Sequence, residues 1–325
     1  TGASSAGRAA KPRVLSPVTA SMKQPAKDFQ LLASVSDFTR YFGFPAPAHP
    51  LFTVIDLAGH QPPPESRLPA LRQLYLVSLK RNLNGHLRYG HGSYDFSEGV
   101  LGFYAPGQLC ASDYPAEAFD VTGWLLAFHP DLLAPYPLAQ KITGYNFFSY
   151  QVNEALHLSA QEETQLNELA ASLRRESEQP VDAFSQDVLV AQLDLLLTLS
   201  NRFYHRQFQT RRTASHDLIT RFETELTAYF AHGDSRPLPT VQHFADALHV
   251  SPAYLSDLLR SYTGQNTQQH IHQALIERAK HLLLGTSLSI NETAFRLGFE
   301  YPQYFSRLFK SKTGFTPAEF RFSVQ

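Results

Sequence analysis

One fourteen-residue phrase occurs twice in this chain, as SPAYLSDLLRSYTG at 251–264 and as YPQYFSRLFKSKTG at 301–314. Seven of its positions are identical, and three more keep their character: Leu255/Phe305, Leu259/Phe309 and Arg260/Lys310. Just upstream, FADALHV and TAFRLGF align Ala245 with Ala294 and Leu248 with Leu297. Val250 aligns with Phe299 in the same register, and these pairs join the repeated phrase once the second turn is given one extra residue. Each copy therefore reads as helix, tight turn, helix, an arrangement that can lay its second helix in a DNA major groove.

Helix punctuation around the copies is dense. A helix near 217–231 is expected to end at Gly233, and Thr240 to cap a short helix through Leu248. Ser251 followed by Pro252 is an N-cap with a first-turn proline, and Gly264 closes that helix. A connecting helix is predicted from Thr267 to Leu284, ended by Gly285. Ser289 with Glu292 makes a capping box. The second copy's helix should run from Tyr301 to Thr313 with Gly314 at its end, and Thr316–Pro317 should start a last turn. The sum is a compact all-α domain.

In the later copy Phe305, Leu308 and Phe309 form an apolar stripe. Gln303, Ser306, Arg307 and Lys310 fall at i, i+3, i+4 and i+7, on one polar face, with Lys312 nearby. Glutamine and arginine are side chains that read adenine and guanine, and lysine grips phosphate. The earlier copy offers Ala253, Ser256, Asp257 and Arg260 on the matching face. Alanine can touch a thymine methyl and aspartate can accept from cytosine, but aspartate also repels phosphate, so the second copy should grip harder. A connecting helix of about 18 residues is about 27 Å long. With the helix bodies at its ends, it brings the two readers toward the roughly 34 Å between successive major-groove faces.

Charge is distributed rather than summed. The whole chain has 28 Lys+Arg against 29 Asp+Glu, and residues 216–325 balance at ten of each, which predicts a shallow salt dependence. Basic residues gather late, at Arg307, Lys310, Lys312 and Arg321, and in a cluster of Arg202, Arg206, Arg211 and Arg212.

Upstream, residues 50–130 alternate short apolar runs (LFTVIDL, LRQLYLVSL, VLGFYAP, WLLAFH) with Gly/Pro turns, the rhythm of a β-sandwich or small barrel. Ser159 and Glu162 then form a capping box for a helix that Pro180 ends. The longer helix that follows has two apolar stripes: Leu189, Leu193, Leu196 and Phe203, and Val188, Leu195 and Leu199. One stripe could cover the barrel and leave the other for a partner, or both could be buried within one subunit. TRRTASHD at 210–217 reads as a polar linker.

No apolar run is long enough to span a bilayer, the first thirty residues lack an apolar signal core, and the single Cys110 can form no internal disulfide. The expected location is the cytoplasm. The small-residue-rich start reads as disordered, and the functional start is expected near Met22, with residues 1–21 an upstream extension.

VSPAYLSDLLRSYTG, IERAKHLLLG and GFEYPQYFSRLFKSKTGFTPAEF together resemble the double helix-turn-helix signature of the AraC/XylS family of bacterial transcription regulators. The resemblance covers about 220–322. Leu275 stands where the family often has arginine, and Asp257 where a basic residue is common. DFSEGVLGFYAPGQ at 95–108 resembles a strand–turn–strand of the family's cupin-like sensing barrel. The fold this implies is a multidomain α+β chain. Residues 1–28 are a disordered extension and 29–158 a cupin-like β-barrel that binds an effector. Residues 159–209 are a helical hairpin that pairs subunits through Leu189, Leu193, Leu196, Leu199 and Phe203, 210–217 a linker, and 218–325 the DNA-binding domain. The implied partners are a double-stranded DNA operator, a small-molecule effector, RNA polymerase and a second subunit, with activation as the outcome.

A cupin-type metalloenzyme with an accessory helical domain would need a ligand set, and His86 and His91 lie near Glu98 without the tight His-x-His…Glu spacing. His270 and His272, two apart on a helix, point away from each other. No cofactor or catalytic constellation is expected. Trp124, Tyr104 and Phe103 read as core more readily than as a pocket lining. A regulator whose barrel only dimerises is the remaining alternative.

Overall fold

The structure, a computed structural model, describes residues 29–61, 63, 69–81, 99–110, 121–151, 154–210, 212–231 and 237–323. Expectations resting on 1–28, on His86, His91 and Glu98, on Arg211 and on Gly233 lie outside these residues. The strands are β1 (Gln30–Leu32), β2 (Phe52–Asp56), β3 (Ala70–Arg72), β4 (Tyr75–Arg81), β5 (Val100–Tyr104), β6 (Gln108–Cys110), β7 (Thr122–Phe128) and β8 (Leu156–His157). The helices are α1 (Val35–Phe42), α2 (Leu138–Lys141), α3 (Ala160–Glu178), α4 (Ser185–Thr210), α5 (Arg212–Ala231) and α6 (Val241–Leu248). They continue with α7 (Pro252–Thr263), α8 (Thr267–Gly285), α9 (Ile290–Arg296), α10 (Pro302–Thr313) and α11 (Pro317–Ser323).

Among the described residues the strands form two sheets, in the orders β1-β3-β6 and β2-β7-β4-β5-β8, rather than a closed barrel. The larger sheet is antiparallel throughout, with Val77 opposite Phe103 and Leu126. Side chains alternate faces along a strand, and β4 is buried on both. Leu76 packs with Val35 and Phe38 of α1 and with the smaller sheet, while Val77 and Leu79 face a core shared with α3 and α4. Trp124 and Phe103 lie in that core, and the Trp124 indole N–H donates to Asn167 Oδ1 at 2.8 Å. Tyr104 is half-buried beneath the Arg72 guanidinium.

The Ser159–Glu162 capping box starts α3 as the sequence predicts. The long helix departs from the expectation. Leu189, Leu193 and Leu196 are fully buried and Phe203 nearly so, all inside the subunit's own core, with Leu199 half-buried against it. They are closed to a partner because α4 lies directly on α3 and the 130–149 segment. Lys141 pairs with Asp194, and Gln186 Nε2 donates to the Leu132 carbonyl. The apolar side chains left outside are Phe184, Val188, Ala191 and Leu195, spaced as one helical stripe.

The segment read as a linker is mostly helix, because α5 begins at Arg212. The run from Thr210 to Ala231 holds no glycine or proline to break a helix, and Ile219 and Phe222 anchor it in the core. Ser215 Oγ donates to the Phe208 carbonyl near the end of α4, at 3.2 Å. Arg206, expected to add positive charge, is instead held by both oxygens of Glu162 and by the His157 carbonyl.

Gly123, in β7, has φ +115°, and a Cβ there would sit 2.2 Å from the Leu79 carbonyl oxygen in the centre of the sheet. Gly123→Ala is therefore expected to lower unfolding free energy by about 2–3 kcal/mol, read from denaturant titration.

Candidate nucleic-acid interface

Most of the identities in the repeated phrase build helix ends. In both copies a proline opens a twelve-residue helix and a left-handed glycine closes it, with Gly264 donating to the Arg260 carbonyl and Gly314 to the Lys310 carbonyl. Thr263 Oγ1 donates to the Leu259 carbonyl and accepts from the Gln265 amide. Thr313 does the same with Phe309 and Phe315. Ser261 and Ser311 each donate to the carbonyl three residues back. The tight turns also match: Val250 N–H donates to the Ala245 carbonyl and Phe299 N–H to the Ala294 carbonyl, each at 3.0 Å. Both turns need a left-handed residue, filled by His249 (φ 58°) in the first and Gly298 (φ 91°) in the second. The two units are therefore the same scaffold, and they differ where the helix face is free to vary.

Helix α10 packs Phe305 and Phe309 inward, both fully buried, beside Phe299, Leu297 and Ala294. On its outer side Gln303, Arg307, Lys310 and Lys312 are all exposed and Ser306 is half-buried. Arg321, from the late basic group, donates instead to the Leu283 carbonyl. Tyr301 and Tyr304 stand exposed beside the face, edge to face with each other.

Helix α7 presents a different surface. Ser256 Oγ donates to Thr267 Oγ1 at 3.0 Å, at the start of α8. Asp257 accepts from Asn146 Nδ2 at 2.9 Å, from the Tyr150 hydroxyl at 2.6 Å and from Arg260 Nη1 at 2.8 Å. Ala253 is half-buried and Arg260 exposed. The cap of α7 is held as well: buried Glu154 accepts from the Ser251 amide and hydroxyl, and Ser251 Oγ accepts from the Tyr254 amide. Burial pushes the Glu154 carboxyl up, against the lowering effect of its bonds from Ser251 and Gln151. Burial and then the Asp257 charge hold the Tyr150 hydroxyl far above its usual range, so it remains a donor. Of the first copy's four expected face residues, three are thus engaged within the chain.

The sequence reading missed Asn146, Tyr150 and Glu154, whose partners lie about a hundred residues away. The signal that could have raised them is the aromatic and amide-rich run GYNFFSYQVNE, which has neither helical nor strand periodicity. His270 and His272 meet separate partners, Thr263 and Gln268. Among the described residues no group of three or more His, Cys, Asp or Glu is placed to hold a metal ion. No described helix is long and apolar enough to cross a membrane.

Two helix-turn-helix units joined by one helix define a DNA-binding domain, and comparisons agree. A family profile described as "Helix-turn-helix domain" matches residues 244–322. The HTH-type transcriptional activator RhaR of Cronobacter sakazakii is 39% identical over 92 residues, 28% of this chain and 32% of that protein. RhaR of Escherichia coli (strain E24377A) is 28% identical over 157 residues, 48% of this chain and 54% of that protein. The uncharacterized HTH-type regulator YfiF of Bacillus subtilis is 30% identical over 152 residues, 46% of this chain and 48% of that protein. The chain spans a third to about half the length of these relatives. Among solved structures, the C-terminal domain of AraT, a response regulator from Geobacillus stearothermophilus, is 31% identical. It covers 32% of this chain and 84% of that one, with a TM-score of 0.29. The C-terminal segment of this chain, residues 244–322, is thus a helix-turn-helix domain of AraC type.

The left-handed backbone at His249 sets a simple stability test. His249→Val is expected to lower unfolding free energy by about 1–2 kcal/mol, and His249→Gly is not, when both are compared by thermal or denaturant unfolding.

Proposed function

We propose that the chain activates transcription by binding an operator through both helix-turn-helix units, in response to a small molecule in its N-terminal domain, and that it works as a homodimer with RNA polymerase as its downstream partner. The observation that carries the DNA reading is the exposed α10 face. Gln303 and Arg307 stand one turn apart with Lys310 beyond them, an arrangement suited to two base contacts and a phosphate contact in one major groove. Ser306 and Lys312 flank that face. Ala253, Ser256, Asp257 and Arg260 make up the first unit's contribution.

Arg307→Ala is expected to weaken binding by about 1–3 kcal/mol in a mobility-shift titration against a duplex enriched from a random-sequence library. Unchanged affinity would remove the assigned face.

The activator reading is drawn from the RhaR relatives, which are described as activators. The sensing role is assigned to the region around the two sheets, which is cupin-like in the sequence reading. Subunit pairing is assigned to the exposed stripe of α4 and its leading residue, Phe184, Val188, Ala191 and Leu195, in place of the buried Leu189, Leu193, Leu196 and Phe203. Val188→Ser with Leu195→Ser should then convert a dimer to a monomer in sedimentation velocity with the melting temperature little changed, whereas Leu193→Ser should unfold the subunit.

A further inference from the structure

The two readers are not equivalent in their attachment. Leu255, Leu258 and Leu259 of α7, with Phe244 and Leu248 of α6, lie in one core continuous with β5, α3 and α4. Phe305 and Phe309 of α10 lie in a separate core, made with α8, α9 and α11. A chain of ring contacts joins the larger sheet to α7. Phe103 meets Phe147 at 4.4 Å and Phe147 stacks on Tyr204. Tyr150 sits edge-on to both Tyr204 and Tyr254, and Tyr254 also meets Phe208. The turn that carries Asn146 is itself tied to the sheet, because Gln108 Nε2 donates to the Phe148 carbonyl. The reader helix α7 is therefore clamped at its N-cap by Glu154 and across its face at Asp257.

We propose that Asn146, Tyr150 and Glu154 form an autoinhibitory latch that occupies the reading face of α7, so that α10 engages DNA first and α7 engages only once the latch opens. This rests on the DNA reading given above. Asp257 suits a latch better than a groove. Facing phosphate, a carboxylate is repelled; facing an amide, a phenol and Arg260, it is fully satisfied. Opening is reversible in chemical terms. Asn146, Tyr150, Asp257 and Glu154 are all polar groups that water can solvate once they part, so the latch turn can lift from the face of α7 while the apolar core beneath that helix stays closed. The closed population lowers apparent affinity in proportion to the fraction of chains whose α7 is free. The latch also gives an N-terminal ligand a physical lever, since the same turn is held by the sheet through Gln108 and by α4 through Tyr204.

The test uses the full chain and a duplex that the wild type enriches from a random-sequence library. Three proteins are compared by mobility shift and hydroxyl-radical footprinting: the Asn146→Ala/Tyr150→Phe double variant, Glu154→Gln, and Arg307→Ala as the reference for DNA reading. Removing the two hydrogen bonds to the Asp257 carboxylate should tighten binding by roughly 10-fold or more and extend protection to a second, adjacent major-groove segment. Glu154→Gln should move both readouts the same way. In hydrogen exchange, the amides of residues 146–151 in the wild type should lose protection when the duplex is added. Unchanged or weaker binding by both latch variants, while Arg307→Ala still weakens it, overturns the latch and leaves the DNA reading intact. Exchange at 146–151 that does not respond to DNA overturns it too. No effect of Arg307→Ala removes the α10 face, and the latch with it.

Discussion

Helix α8 carries the architecture of the C-terminal half, because its two ends are buried in different cores. Ile271 packs into the core that runs back through α7 and α4 to the larger sheet. One turn on, Leu275, Ile276, Ala279, Leu282 and Leu283 pack with α9, α10 and α11. At nineteen residues α8 is about 28 Å long. Apolar burial of about 1.5–3 kcal/mol per large side chain makes each end costly to release. Leu275, only 2% exposed, is wholly committed to the second core.

This division explains why one phrase written twice yields two unequal surfaces. The identical pairs Ser261/Ser311, Thr263/Thr313 and Gly264/Gly314 make the same backbone contacts in both copies, which is what a repeated scaffold requires. The residues that differ decide what each helix meets. Arg307 meets solvent, whereas Asp257, at the matching position, meets Asn146 and Tyr150. The differences on one helix face thus leave the polar face of α10 open to solvent and that of α7 held within the chain.

Local punctuation makes much of the C-terminal domain legible in the sequence alone. The caps at Thr240, Ser251 and Ser289, and the closing glycines at 264 and 314, appear where the residue types require them. These signals work because each is an interaction between residues three or four apart. What stayed hidden depends on distance along the chain. The Asn146–Asp257 and Glu154–Ser251 bonds join segments 111 and 97 residues apart, and no short-range pattern encodes them. Periodicity also showed two apolar stripes on α4 but could not say which one faced inward; packing against α3 chose the leucines at 189, 193 and 196. The polar stretch at 210–217 looked like a linker on composition, yet nothing in it opposes a helix once Ile219 and Phe222 are anchored.

DNA binding as proposed requires α10 to enter the major groove with its exposed face. A benzophenone side chain placed at position 303 of the full chain tests this most directly. Irradiated with the bound duplex, it should form a covalent adduct with bases, mapped by primer extension to one groove segment. A chain that still binds the duplex but gives no base adduct from position 303 would contradict the account.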